Sequence, residues 1–141
     1  MFIELVLVYF ERPQQGYRIF NTWMGEPSKV MMLEKVVEVI KRDNLLDIAE
    51  ASGKRLLDGL KDFSTRFPRH VSKVRGIGTF CAFDSDSAEM RDDIVARLKV
   101  EGVQSGGCGD QSIRLRPSLV FEPYHADLFL ERLEKVLKQL N

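Results

Sequence analysis

The sequence predicts an α+β domain in which a small sheet of short, largely antiparallel strands is covered by helices. Two observations carry that expectation. Apolar residues recur at helical spacing in several segments, and between them the period falls to two over runs too short for anything but strands. A third is the lack of any internal repeat, low-complexity tract or interior linker, which favours one layered domain. At 141 residues the chain is long enough to bury one core.

In chain order, the turn at Gly25, Glu26 and Pro27 leads into a helix whose Leu33, Val36, Val37 and Ile40 form one apolar stripe. Pro27 suits its first turn, where a missing N–H costs nothing. A second helix carries Leu56, Leu60, Phe63 and Phe67 on one face and stops at Pro68, with Gly53 and Gly59 expected to weaken it locally. From Val71 the period changes. Residues 71–75 and 79–83 read as strands around Gly76, Ile77 and Gly78, a bent or hairpin-paired unit. Asp86 followed by Glu89 resembles a capping box, and Met90, Ile94 and Leu98 then give a helix closed by Gly102. Residues 103–105 read as a strand running into a glycine-rich loop, and residues 112–116 alternate apolar and basic until Pro117. Pro123 opens the last helix, with Phe129, Leu133, Val136 and Leu140 on one face and Glu131/Lys135 and Glu134/Lys138 as i, i+4 pairs.

Composition excludes several classes of function. Twenty-one basic residues balance 21 acidic ones and are interleaved with them, so a nucleic-acid partner is not expected. His70, Cys81, Cys108 and His125 stand at no zinc-ligand spacing, so no metal is expected; two distant cysteines read as free thiols, with Cys81 in the core. The apolar opening, Met1 to Phe10, contains Glu4 and is about half the length of a membrane span. It has neither the arginine-rich character of a transit peptide nor a secretory cleavage site, so no targeting signal is expected.

The segment from Arg18 to Lys29 concentrates chemistry. Arg18, the Thr22 hydroxyl and backbone amides around Gly25 can hold an anion such as phosphate, while Phe20 and Trp23 can wall a pocket; the same residues also read as a loop leading into a helix. Alternation places Arg114 and Arg116 on one strand face. A planar guanidinium on a rigid strand reads carboxylates in a bidentate way, although a solvated sheet face shows the same pattern. Gly106, Gly107, Cys108 and Gly109 suit either a loop beside a ligand or a turn between strands. Gly76-Ile77-Gly78 reads as a turn, and His70 and His125 as surface or capping residues.

These strings together resemble the class III pyridoxal-phosphate aminotransferases, and among them the 4-aminobutyrate aminotransferase family. The resemblance starts at about Arg12 and includes Tyr17 to Trp23, Gly25 with Pro27 to Lys29, Val74 to Gly76 with Gly78 to Cys81, Gly106 to Asp110, and Arg114 with Arg116 and Pro117. Residues 1–11 look unlike the family. The expected organisation is a non-matching extension at 1–16 and, at 17–141, the C-terminal small domain of a fold type I enzyme with its lead-in segment.

The resemblance implies that Thr22 contacts the phosphate of pyridoxal 5'-phosphate in the neighbouring subunit of a homodimer. It further implies that Arg114 grips the α-carboxylate of 2-oxoglutarate or glutamate, that Phe20 serves the substrate site, and that the Gly106–Gly109 loop lies beside it. The family's cofactor-binding lysine and large domain have no counterpart, as no lysine precedes Lys29. No catalytic residue is therefore expected in this chain, which reads as a C-terminal fragment or truncated form, inactive alone. A different ω-amino acid transaminase, or a non-catalytic module that joins full-length subunits, are the alternatives. Family members work in the mitochondrial matrix; the chain's own sequence is equally compatible with the cytoplasm.

Overall fold

The computed structural model describes residues 14–18 and 20–140. The apolar opening and most of the expected N-terminal extension lie outside the described residues. The chain divides into two compact units, Met1–Glu38 and Val39–Asn141, with one helix, α1 (Pro27–Arg42), running through the boundary.

In the first unit a tight turn precedes α1. The Asn21 side chain accepts from the Trp23 amide at 2.8 Å and its carbonyl from the Met24 amide at 3.1 Å. Glu26 then accepts from the Ser28 hydroxyl and from the amides of Ser28 and Lys29, satisfying donors that a helix start leaves open. Those hydrogen bonds, the Ser28 hydroxyl first, hold the Glu26 carboxyl below its ordinary value. The helix forms where the spacing predicts. Its stripe, however, is uncovered: no residue of α1 is buried, and Leu33 is 62% exposed.

The second unit is a two-layer α+β structure. After α2 (Leu45–Arg66) come β1 (Ser72–Ile77), β2 (Phe80–Asp84), α3 (Ala88–Val100), β3 (Gly106–Cys108), β4 (Ser112–Leu115) and α4 (Pro123–Gln139). The strands form one antiparallel sheet in the order β1-β2-β4-β3. Alternation sends Cys81, Phe83, Ile113 and Leu115 to one face, where they pack with Leu56, Leu60 and Phe63 of α2, Ile94 and Leu98 of α3, and Phe129, Leu133, Val136 and Leu137 of α4. Among the described residues of this unit, no helix covers the opposite face. Among the described residues, no helix is long and apolar enough to cross a membrane.

Several local expectations need correction. The α3 N-cap is Ser87, whose hydroxyl accepts from the Met90 amide at 3.2 Å; the Asp86/Glu89 box is one residue out of register. Residues 103–105 are not a strand. The extended pairing falls instead on Gly106–Cys108, which leaves only Gly109 of the expected glycine loop in a turn. His70 is buried, at 3% exposure, rather than at the surface. Lys135 pairs with Glu101 at 2.8 Å instead of with Glu131, whereas Lys138 does meet Glu134 at 3.0 Å.

Gly53 and Gly59, expected to weaken α2, are where it is approached most closely. A Cβ on Gly53 would stand 2.1 Å from the backbone of Gly78 in the β1–β2 turn, and one on Gly59 would strike Leu130 of α4. Gly78 itself has φ of 54°, a conformation that side chains other than glycine's adopt at a cost.

Candidate functional site

Strand register builds a row across the open face of the sheet. Arg75 lies opposite Ala82, Ala82 opposite Arg114, and Arg114 opposite Gly106. Directly paired strand residues are the ones whose side chains meet, so Arg114 is flanked by a methyl group and a hydrogen. Its guanidinium has room that a β-branched neighbour would remove. The next row holds Asp84, Ser112 and Cys108.

Charge pairing separates the arginines of this unit. Arg75 reaches Asp84 at 2.9 Å and the Ser112 hydroxyl at 2.9 Å, while Ser112 donates to Asp84 at 2.6 Å. Among the described residues, every arginine of the second unit has a carboxylate within ion-pair distance except Arg114 and Arg116. Both are exposed, and both line a cleft of about 290 Å³ between the end of β4, the approach to β3 and the first turns of α4. Leu56, Leu128, Phe121 and Phe129 give the cleft apolar walls. No carboxylate among the described residues lines it.

Two further polar residues belong to the cleft. His125 closes the N-terminus of α4: its Nδ1 accepts from the Glu122 amide at 3.0 Å, and its ring stacks on Phe121 with centroids 5.4 Å apart. It is the capping histidine expected, placed in the cleft wall. Ser105 lines the same cleft, and its Oγ is enclosed without a hydrogen-bond partner among the described residues. Nothing in the local sequence marks it. Ala82 could have been found, as the smallest side chain in a strand that otherwise carries Phe80, Cys81, Phe83 and Asp84.

The remaining expected site residues fall in two places. Arg114 and Gly106 to Gly109 belong to the second unit; Thr22 and Phe20 belong to the first, where Thr22 is exposed in the turn and Phe20 is 70% exposed. Gly107 makes room for Arg91, whose guanidinium donates to the Gly109 carbonyl at 3.1 Å. Cys108 is exposed and free. Cys81 is buried and free, and burial pushes its thiol pKa up.

Residues 9–137 match the family model of class III aminotransferases. The chain belongs to that family. This class III chain is 49% identical over 126 residues to human mitochondrial 4-aminobutyrate aminotransferase, covering 89% of its own length and 25% of that protein. It is 43% identical over 129 residues to the 4-aminobutyrate aminotransferase of Dictyostelium discoideum, covering 92% of itself and 26% of that protein. The class III chain therefore spans about a quarter of the length of the curated relatives it matches. Among solved structures, it superposes on a lysine aminotransferase from M. tuberculosis with a TM-score of 0.80 at 26% identity, over 89% of this chain and 29% of that one. Class III aminotransferases depend on pyridoxal phosphate.

Proposed function

We propose that this chain supplies the carboxylate-reading, C-terminal part of a 4-aminobutyrate aminotransferase, which passes an amino group from 4-aminobutyrate to 2-oxoglutarate. The observation that supports this is Arg114, a guanidinium on a central strand, flanked by Ala82 and Gly106 and without a carboxylate partner among the described residues. Such a fork takes a carboxylate through two parallel N–H···O bonds. Held by the β2–β4–β3 ladder, Arg114 would bind the α-carboxylate of 2-oxoglutarate or glutamate and so fix where the reacting carbon lies. Phe20 would wall the substrate pocket, with Gly106 to Gly109 beside it.

The Thr22 hydroxyl, exposed in its turn and free of hydrogen bonds to the described residues, fits a phosphate oxygen. Thr22 would thus hold the phosphate of pyridoxal phosphate bound by the other subunit of a homodimer. When bound, that cofactor supplies the electron sink that amino transfer requires. No lysine precedes Lys29 here, so the cofactor's covalent attachment is assigned to the portion that the longer relatives carry outside the matched region. The intact protein would share the mitochondrial location of its mammalian relatives.

Complementation tests this reading. The chain, co-expressed with the missing portion of a relative, should restore amino transfer, and Arg114→Gln should weaken the glutamate and 2-oxoglutarate half-reaction by roughly tenfold or more while sparing the 4-aminobutyrate half. Equal loss in both halves would refute the role of Arg114. The chain alone should show no turnover, and glutamate-dependent turnover with a lysine-bound cofactor spectrum would refute the division of labour. The uncovered stripe of α1 favours a second reading, a non-catalytic module that joins full-length subunits. Co-purification that is lost in a chain starting after Thr22 would support it. Substrate trials on a restored enzyme with β-alanine or ornithine would expose a different ω-amino acid transaminase.

A further inference from the structure

We propose that Arg75 is a positioning residue: by holding the Asp84 carboxylate it keeps Asp84 from closing on Arg114, so that the Arg114 guanidinium stays open to a substrate. The proposal rests on the reading of Arg114 as the substrate's carboxylate contact and adds what keeps that guanidinium unpaired.

Strand register sets up the competition. Ala82 of β2 lies opposite Arg75 of β1 on one side and opposite Arg114 of β4 on the other. Asp84 is two residues further along β2, so its side chain emerges on the same face as Ala82. It is therefore a diagonal neighbour of both arginines, and diagonal pairs, about 7–8 Å apart, lie within reach of a long side chain. The outcome is one-sided. Arg75 Nη2 stands 2.9 Å from Asp84 Oδ1, whereas no ion pair joins Asp84 and Arg114.

Three features favour Arg75. β1 carries one extra residue where its register steps from Ser72 opposite Asp84 to Arg75 opposite Ala82, and in this bulge Lys73 has φ of 46°, a left-handed conformation that a residue other than glycine keeps only where its surroundings enforce it. The Lys73 carbonyl accepts from Arg75 Nη1 at 2.8 Å, which fixes the guanidinium. Next, the Ser112 hydroxyl bridges the pair, accepting from Arg75 at 2.9 Å and donating to Asp84 Oδ1 at 2.6 Å. Finally, Lys73 Nζ stands 3.6 Å from Asp84 Oδ2, so both carboxylate oxygens are engaged from the β1 side. Without Arg75, a buried carboxylate loses its closest counter-charge, and a buried charge left unpaired is costly. The next guanidinium in reach is that of Arg114, and an Asp84–Arg114 pair would compete with any substrate carboxylate.

Nuclear magnetic resonance of the whole 141-residue chain reads the pairing directly, through the Nε–Hε signal of Arg114, assigned by its loss in Arg114→Gln. In Arg75→Gln that signal should move and its exchange with water should slow; adding Asp84→Asn should return it to the wild-type position. Ser112→Ala removes one hydrogen bond from Asp84 and leaves the Arg75 pair, so it should move the signal part of the way, and it serves where Arg75→Gln does not fold. In the enzyme restored with the missing portion of a relative, Arg75→Gln should raise the KM for 2-oxoglutarate about two- to fivefold, the strength of a partly exposed ion pair, with kcat and the KM for 4-aminobutyrate little changed. Asp84→Asn in the same chain should remove that rise. A residue that merely held the sheet together would show no such rescue, since the second substitution would add to the damage. An Arg114 signal that stays in place in whichever of these variants folds, or a KM rise that Asp84→Asn deepens, would overturn the proposal. The two readings fail separately. If Arg114→Gln spares the 2-oxoglutarate half-reaction while the Arg114 signal still answers to Asp84, the substrate role of Arg114 falls and the pairing rule stands; if Arg114→Gln weakens that half-reaction and the signal never moves, the reverse holds.

Discussion

Asp84 stays ionised although only 7% of its surface is exposed. Burial alone would raise its pKa, but the Ser112 hydrogen bond, the hydrogen bond and charge of Arg75 and the charge of Lys73 outweigh it and hold the carboxyl below its ordinary value. A carboxyl whose pKa is lower folded than unfolded stabilises the fold above its unfolded value, near pH 4, and that contribution fades as pH falls through the folded value. Urea midpoints should therefore drop below about pH 4, and Asp84→Asn should flatten that acid limb. At pH 7 the substitution should cost about 1–2 kcal/mol, less than for a fully buried pair, because the Arg75 side chain is 50% exposed and screened by solvent. An acid limb of unchanged depth in the variant would exclude this account. Arg114 makes the opposite case. With no partner to lose, Arg114→Gln should leave the thermal midpoint within the range of a neutral surface substitution, about 0.5 kcal/mol, while Arg75→Gln should not.

At the level of elements, the packing of α2 on the β1–β2 turn depends on an absent side chain. Gly53→Ala improves intrinsic helix propensity by about 1 kcal/mol, yet it drives a methyl into the backbone of Gly78. The clash should win, giving a net loss of roughly 1–3 kcal/mol by chemical denaturation. A stabilised variant would show that the helix can shift freely. At α3, Ser87→Ala should cost about 1 kcal/mol and Asp86→Ala less than half of that, since only the Ser87 hydroxyl reaches a helix amide.

These two cases show what the sequence discloses and what it withholds. Apolar periodicity located every helix among the described residues, and alternation put Arg114 and Ile113 on opposite faces of β4, because both patterns are set by neighbours along the chain. The role of Gly53 depends on a residue in a different element, and the choice between Asp86 and Ser87 on one residue of backbone geometry. That Arg114 and Arg116 lack a carboxylate partner among the described residues is likewise a property of where those carboxylates end up. None of these is a local quantity.

For the whole molecule, the main consequence lies in α1. Leu33 and Val36, neighbours on one stripe of the helix, are each more than half exposed, an apolar surface of the kind that proteins normally cover. The purified chain should bind a hydrophobic dye, and Leu33→Lys with Val36→Lys should abolish most of that signal without changing the helical circular dichroism. A monodisperse monomer that ignores the dye would contradict this. The sheet edges carry less hazard: β1 is interrupted by a register shift between Ser72 and Arg75 and carries Lys73 and Arg75. The β3 edge is three residues long, two of them glycine, and the Arg91 guanidinium lies against Gly107. So short and weakly β-prone an edge offers almost no template for a foreign strand. Where these chains stick together, they should do so helix to helix, as reversible oligomers that leave amyloid dyes dark, and not as fibrils.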